Sequence, residues 1–597
     1  MRAARIRPLP FAAAALLSLV PLAAPHGGVY TPPVPTTPLP GGPAPLPPLG
    51  PKAPLPGGGS PVTVPMAVAE TRSPWWTWWE RNRFDYLVPS RVREDGPVTG
   101  GDDFLAQRTA RRLAGALASR RAEWVRGRVA PHLERHFRDP DYNLRASALV
   151  SAAKLEGAAR VPALREGLRD AHAVVRDGAL LGLGASASEE GAKILASIAA
   201  DEREGRAALG EGGSISARTR AMALLALGIC RARGGPNLAT ASARAVLEQR
   251  KGTGSLEQGV GACVALGLAR SEEGVPDLLR AASDRDEPSA VRCRALAALG
   301  AIADASARPT ATQLLGDRDR LVRGAAALAL GDLVRAPDPE AAGRLLAFLE
   351  KEEDPTVSAF ALVSLGKTGA EAAAKELARQ LVRGKDARRA FASIGLALAV
   401  RGAPKAVGRE RIREAFRLDR APERRGAHAI ALGLAEERAE APAVSKAYRD
   451  AASLSQRVEL SEALALFRAG EGREALLEML ERDRSNVGRS QAAFALGFHC
   501  DPRDVRPLGE ALRRNSTSTL MGPYSLGLGF HGSEAAVEEL LRVLERGKAE
   551  PIAAAAAIDA LAVALQEDPI PTLHRVARGS NYEADPPFVL EALEFLL

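Results

Sequence analysis

The chain has 597 residues, 46% hydrophobic but only 4% aromatic, which is too long for one ordinary core and too aromatic-poor for stacked β-sandwiches. Its formal charge is +8, yet Arg2, Arg5, Arg7 and Lys52 supply +4 of that before the first acid, Glu70, so the remaining excess is too slight to argue for nucleic acid. Cys230, Cys263, Cys293 and Cys500 lie far apart with no CxxC, which excludes a zinc ribbon or a small disulfide scaffold.

Residues 1–24 carry three arginines and then an apolar run from Phe11 to Ala24, the pattern of an export signal. The run is short for a membrane span, and Pro25 directly after the small residues Ala23 and Ala24 suits cleavage poorly, so an uncleaved membrane anchor stays open beside a removed signal. Residues 25–69 are rich in proline and Gly-Gly steps and are expected to form a disordered linker.

Residues 70–100 hold "SPWWTWWERNRFDYL", with four of the five tryptophans of the chain. Ser73 followed by Pro74 reads as a helix start, and the helix is expected to run to about Leu87. Trp75, Trp76, Trp78, Trp79, Phe84 and Tyr86 give it an apolar arc wider than one docking surface needs. Three roles fit: a cap over the first exposed helix pair, an anchor for a partner, or insertion at a membrane interface or on a carbohydrate platform.

From 101 to 597 one motif recurs, as in "RDGALLGLG", "VRCRALAALG", "VRGAAALALG" and "RSQAAFALG". Its terminal Gly or Ala falls at 153, 184, 228, 267, 300, 331, 366, 399, 433, 465, 497, 529 and 562, mostly 31–35 residues apart. An earlier apolar run in each unit, such as "VPDLLRAASD", makes the unit two helices. Val291, Ala295, Leu299 and Ile302 form a helical stripe that Val322, Ala326, Leu330 and Leu333 repeat in the next unit. The marker glycine is expected to relieve contact near the end of the second helix. The turn between helices carries an Asp that caps the second helix and an Arg shortly after: Asp170 with Arg176, Asp317 with Arg323, and Asp139 or Asp141 with Arg145. With Arg292 these residues are expected to form a structural Asp/Arg ladder within or between units. The longer stretches "DEREGRAALGEGGSISAR" and "EQRKGTGSLEQG" read as loops on one rim, and the last unit as a bare apolar end.

The pattern D-x-x-x-x-V-R-x-x-A-x-x-A-L-G, at Asp170 to Gly184 and Asp317 to Gly331, resembles the HEAT repeat, in the short form also found in bilin lyases. The resemblance implies an all-α fold, a right-handed α-solenoid of about 13 two-helix repeats with a concave groove, and a scaffold that binds other macromolecules. "WWERNRFDYL", with Trp78, Trp79, Asn82 and Leu87, is similar to a segment ahead of the repeats in exported bacterial HEAT-repeat proteins.

None of the eight histidines is followed by Glu, which separates the chain from deoxyhypusine hydroxylase, a HEAT enzyme with repeated His-Glu dipeptides. His132 and His136 stand four apart, a spacing able to hold a metal, but "HLERH" lacks the His-Glu step of zincins. His499 beside Cys500 has no third group in sight, and there is no GxSxG or GxxxxGK[ST]. The reading is therefore an exported, periplasmic or extracellular scaffold that binds protein, is not an enzyme and needs no cofactor, metal or nucleic acid. A HEAT-like lyase or another enzyme with its site in the groove is the alternative.

Overall fold

Several second helices of the repeats begin on a turn whose side chain caps them, whereas Ala173–Ala185, after His172, and Ser289–Ile302, after Pro288, begin without such a cap. In the unit around Arg320–Asp332, the Asp317 carboxylate accepts from the Asp319 amide at 2.9 Å, and the Asp319 carboxylate in turn accepts from Leu321 at 2.8 Å, where the helix begins. Asp141 and Asp354 cap their helices in the same way. Several first helices open on proline at the first or second position, as in Val161–Gly167, Val275–Ser283 and Arg308–Leu314, where a missing amide hydrogen is harmless. Val291, Ala295 and Leu299 are buried, as are Val322, Ala326, Leu330 and Leu333, so the stripe read from the sequence faces the core.

The computed structural model describes residues 74–87, 121–250, 254–401, 408–467, 470–515, 518–545, 551–566, 574–586 and 588–589. The expected export signal, linker and helix-capping Ser73 lie outside the described residues, as do residues 88–120. Those described fall in one compact unit, and among them there is no strand.

The tryptophan helix, α1, spans Pro74–Asn82 and ends in a 3₁₀ turn, Arg83–Asp85, so the α-helix is shorter than expected. The second helices are α2 (Tyr142–Glu156), α3 (Ala173–Ala185), α4 (Ala217–Ala232), α5 (Leu256–Ala269), α6 (Ser289–Ile302), α7 (Arg320–Asp332) and α8 (Pro355–Lys367). They continue as α9 (Asp386–Val400), α10 (Pro422–Leu434), α11 (Leu454–Phe467), α12 (Asn486–His499), α13 (Ser518–His531) and α14 (Pro551–Leu565). Each packs on the next, and α14 packs on α2. The array is thus an all-α solenoid closed into a ring of 13 second helices, with the first helices outside them.

Closure joins the two ends of the array: α14 meets α2, where the Asp559 carboxylate accepts from Ser147 Oγ and Ser151 Oγ, each at 3.1 Å. Of the stretch 585–597, expected to be a bare apolar end, Phe588 and Val589 are buried and residues 590–597 lie outside the described residues. Outside this seam Arg128 pairs with Glu538 and Glu545. As a correction to the expected cap, α1 does not fold over the first helix pair; it docks far along the chain. The stretch read as a long loop before α4 contains a short helix, Arg203–Leu209, ended by Gly210 in the left-handed region.

The marker glycines lie where neighbouring second helices approach most closely. A Cβ on Gly366 would stand 2.1 Å from the Gly395 carbonyl oxygen, and one on Gly184 2.3 Å from that of Ala226. The Asp/Arg ladder runs between units: Arg145 pairs with Asp170 at 2.9 Å, Arg292 with Asp317 at 2.6 Å and Arg323 with Glu352 at 2.7 Å. Within its own unit the arginine donates to turn carbonyls instead, Arg176 to Asp170 O at 2.7 Å and Arg323 to Asp317 O at 3.1 Å. One guanidinium therefore stitches its own turn while bridging to the following one.

Candidate functional site at the ring centre

Thirteen helices at a usual spacing of ~9 Å make a circle of axes ~37 Å across, which leaves a centre too wide for the inner faces to cover each other. Two segments of the chain lie against those faces. One is α1 with its 3₁₀ turn, against the arc from α9 to α13; the other is the stretch after α14, against α5 to α8.

Trp75 and Trp79 on α1 and Arg83 at the start of the 3₁₀ turn are spaced four apart and turn to the same side. Trp75 Nε1 donates to the Glu423 carbonyl at 3.1 Å, and Trp79 Nε1 to Glu462 Oε2 at 2.5 Å. Arg83 Nη1 meets the other oxygen of that carboxylate, Oε1, at 2.5 Å. Side-chain exposure is 4% for Arg83 and 1% for Glu462, so this is a buried ion pair, held as well by the indole hydrogen bond. The guanidinium also lies 4.8 Å from the Phe494 ring centroid. Phe84 completes a cluster with Phe494, Phe498 and Phe530, whose rings stand 4.5 to 6.3 Å apart. Trp79 stacks on Tyr86 at 6.0 Å, and Arg401 lies over the Tyr86 ring at 5.6 Å.

All four clustered tryptophans are at most 4% exposed, and Phe84 is 5%. The structure brings them together with Tyr86 inside the chain's own fold. As anchors for an outside partner they are not accessible in this state.

The C-terminal stretch closes on the opposite side. Asn82 Oδ1 accepts from the Gly579 amide at 3.2 Å and Asp85 pairs with Arg578 at 3.0 Å. Arg294 on α6 donates to Val576 O at 2.5 Å and pairs with Asp585 at 2.6 Å, while Asn581 Nδ2 donates to Leu321 O at 2.8 Å. Both terminal segments therefore meet each other and the ring.

Two carboxylates one turn apart on α11 behave differently. Glu462 is ion-paired, whereas burial pushes the Glu459 carboxyl well above its ordinary range; its Oε1 accepts only a long bond from Ser455 at 3.4 Å, and Oε2 has no partner. Gly426 stands opposite, where any Cβ would collide with Glu459.

Other candidate residues do not assemble into a catalytic group. His136 faces Asp139 at 3.1 Å rather than sharing a ligand with His132. His499 Nε2 lies 3.3 Å from Leu464 O, and Cys500 is buried with its thiol toward the Gly497 and Phe530 carbonyls. Among the described residues no group of three His, Cys, Asp or Glu is placed to hold a metal, and no helix is long and apolar enough to cross a membrane.

Sequence reasoning did not single out Glu462, Arg83 or Asp559. A signal was available: each acid interrupts an apolar run, "VELSEALALF" and "AAAAAIDALAVAL", where a charge needs a buried partner.

Residues 259–331 and 310–399 match the family model of HEAT repeats. Residues 259–399 of the chain therefore carry HEAT repeats. No curated protein matches it. Among solved structures, human deoxyhypusine hydroxylase in complex with glycerol is 20% identical, over 45% of this chain and 98% of that one, with a TM-score of 0.22. The complex of CpcE and CpcF of phycocyanin lyase from Nostoc is 19% identical over 52% and 96%, at 0.24. Kap121p bound to Ste12p is 14% identical over 83% and 58%, at 0.36. No activity or partner passes from these proteins to this ring.

Proposed function

We propose that the HEAT ring is an exported, non-enzymatic scaffold that holds protein partners on its outer helices and rims. The observation that carries this reading is the occupied centre: the inner faces that an open solenoid offers to partners are taken here by α1 and the C-terminal stretch. What remains is a belt of outer helices. In Glu371–Arg383 the residues Ala373, Leu377 and Leu381 turn inward and charged residues outward. Val382 and Leu418, at the ends of the adjacent outer helices Glu371–Arg383 and Arg409–Leu418, are 56% and 70% exposed. The arginine-led apolar run at residues 1–24 supports export, to the periplasm or beyond the cell.

The test places a photo-crosslinking residue in turn at outer positions, including Val382 and Leu418, in the full chain expressed in its own cells. Discrete protein adducts from some positions, with the chain recovered from the envelope or medium, support the reading. Retention in the cytoplasm removes export from it, and a lack of specific adducts from every outer position removes the scaffold.

A further inference from the structure

The ring closes without α1, since every second helix from α2 to α14 packs on its neighbours and α14 returns to α2. What holds α1 is remote in sequence: Trp75 and Glu423 are 348 positions apart, Trp79 and Glu462 383, and Asn82 and Gly579 497. The contact has the make-up of an interface between two molecules. Trp, Tyr and Arg side chains, the residues that dominate binding hot spots, enter a desolvated seat, and the seat answers them with one carboxylate and a box of phenylalanines. Residues 88–100 lie between α1 and the repeats that begin at 101, and 13 residues reach at most ~45 Å. The circle of helix axes is ~37 Å across. The length of the connection therefore does not confine α1 to its own ring.

From this we infer that the ring centre is a binding site for an aromatic helix with the spacing W-x-x-x-W-x-x-x-R-F, and that α1 of a second copy of this chain can occupy it in place of the resident helix. The two helices are chemically identical, so the exchanged state keeps every contact of the seat, and tethering favours the resident only through its high local concentration. Rings whose N-termini are gathered in one place are then joined through their centres. This inference stands apart from export and from the outer-belt reading.

Two measurements on the whole chain test it. In the first, a specific protease site is inserted at residue 100 and cut after folding, and a fluorescent peptide of residues 72–90 is added. The peptide should bind one per ring and displace the cut segment, and a Trp79→Ala, Arg83→Ala peptide should bind at least ten-fold more weakly. Equal binding of the two peptides, or a resident helix that never exchanges while the ring stays helical, overturns the inference and makes α1 part of the core. In the second, uncut chains labelled with nitrogen-14 or nitrogen-15 and carrying a photo-crosslinker at Thr77 are mixed at about 0.1 mM. Adducts joining α1 of one isotope to a seat of the other support exchange between copies, whereas adducts of single isotope throughout overturn it.

Discussion

Asp559 on α14 accepts a hydrogen bond from Ser151 on α2 at 3.1 Å, across 408 positions of sequence. The same carboxylate binds Ser147, and the Lys154 ammonium lies near enough to feel its charge. The first and last repeats meet through this acid, through Arg128 with Glu538 and Glu545, and through the packing of α14 on α2. Around the rest of the ring, each inner contact is backed by chain continuity.

Replacing Asp559 should therefore loosen the ring at one place. Asp559→Ala strands the buried Ser151 hydroxyl and the half-buried Ser147 hydroxyl and removes the acid that Lys154 faces, so a loss of about 3 kcal/mol in urea unfolding is expected. Asp559→Asn keeps an acceptor and should cost about 1 kcal/mol. Two cysteines introduced across α2 and α14 should form a disulfide in the parent protein and do so less completely in Asp559→Ala. An unfolding midpoint unchanged by the alanine would mean that apolar packing alone holds the seam.

At the seat of α1, Glu462→Gln leaves the Arg83 guanidinium buried without its counter-charge, and about 3–5 kcal/mol of stability should be lost. Adding Arg83→Met should restore much of it, because the pair is then removed together. A double-mutant cycle in urea measures the coupling. Purely additive losses would show that the indole of Trp79, and not the ion pair, is what Glu462 serves.

The repeat was legible because a helix of small apolar residues ending in "ALG" every 31–35 positions has few other physical readings. Marker glycines and the Asp and Arg of each turn were equally local signals, and the structure places them at close helix approaches and between turns. Closure was not legible. Whether an array of such units spirals or meets its own start depends on a small rotation per unit, summed over 13 of them, and no single residue reports that sum. The seat of α1 was half legible. Trp75 to Trp79 announced a docking helix, but its acceptor Glu462 and its box of Phe494, Phe498 and Phe530 come from three different repeats that only the ring brings together.

Asp504 gives the ring a pH dependence. Its side chain is fully buried, and burial pushes its pKa up to about 7 although Arg473 lies 2.7 Å away and opposes the shift. Between the ordinary carboxylate range and about pH 7 the folded chain keeps a proton that the unfolded chain has released. Stability from this group is therefore present at low pH and falls as pH rises through that window, by up to about 1.4 kcal/mol per unit. Asp504→Asn should flatten the profile between pH 4 and 7. Urea unfolding at half-unit steps checks it, and an unchanged slope would assign the dependence to other carboxylates.

Gly366 tests what the recurring glycine does. It sits in α8 at the crossing with α9, and a Cβ there would meet the backbone of Gly395, which cannot rotate away as a side chain can. Gly366→Ala must push two second helices apart, and because the ring is closed the displacement cannot be passed to a free end. The expected cost is about 2–4 kcal/mol, in the range of core overpacking and above the usual helix gain from alanine. Gly212, on the exposed stretch before α4, has open space where its Cβ would be, and Gly212→Ala should change stability by less than about 0.5 kcal/mol. Matching losses at the two sites would mean that the glycine serves backbone conformation. A loss confined to Gly366 ties it to the approach of neighbouring helices.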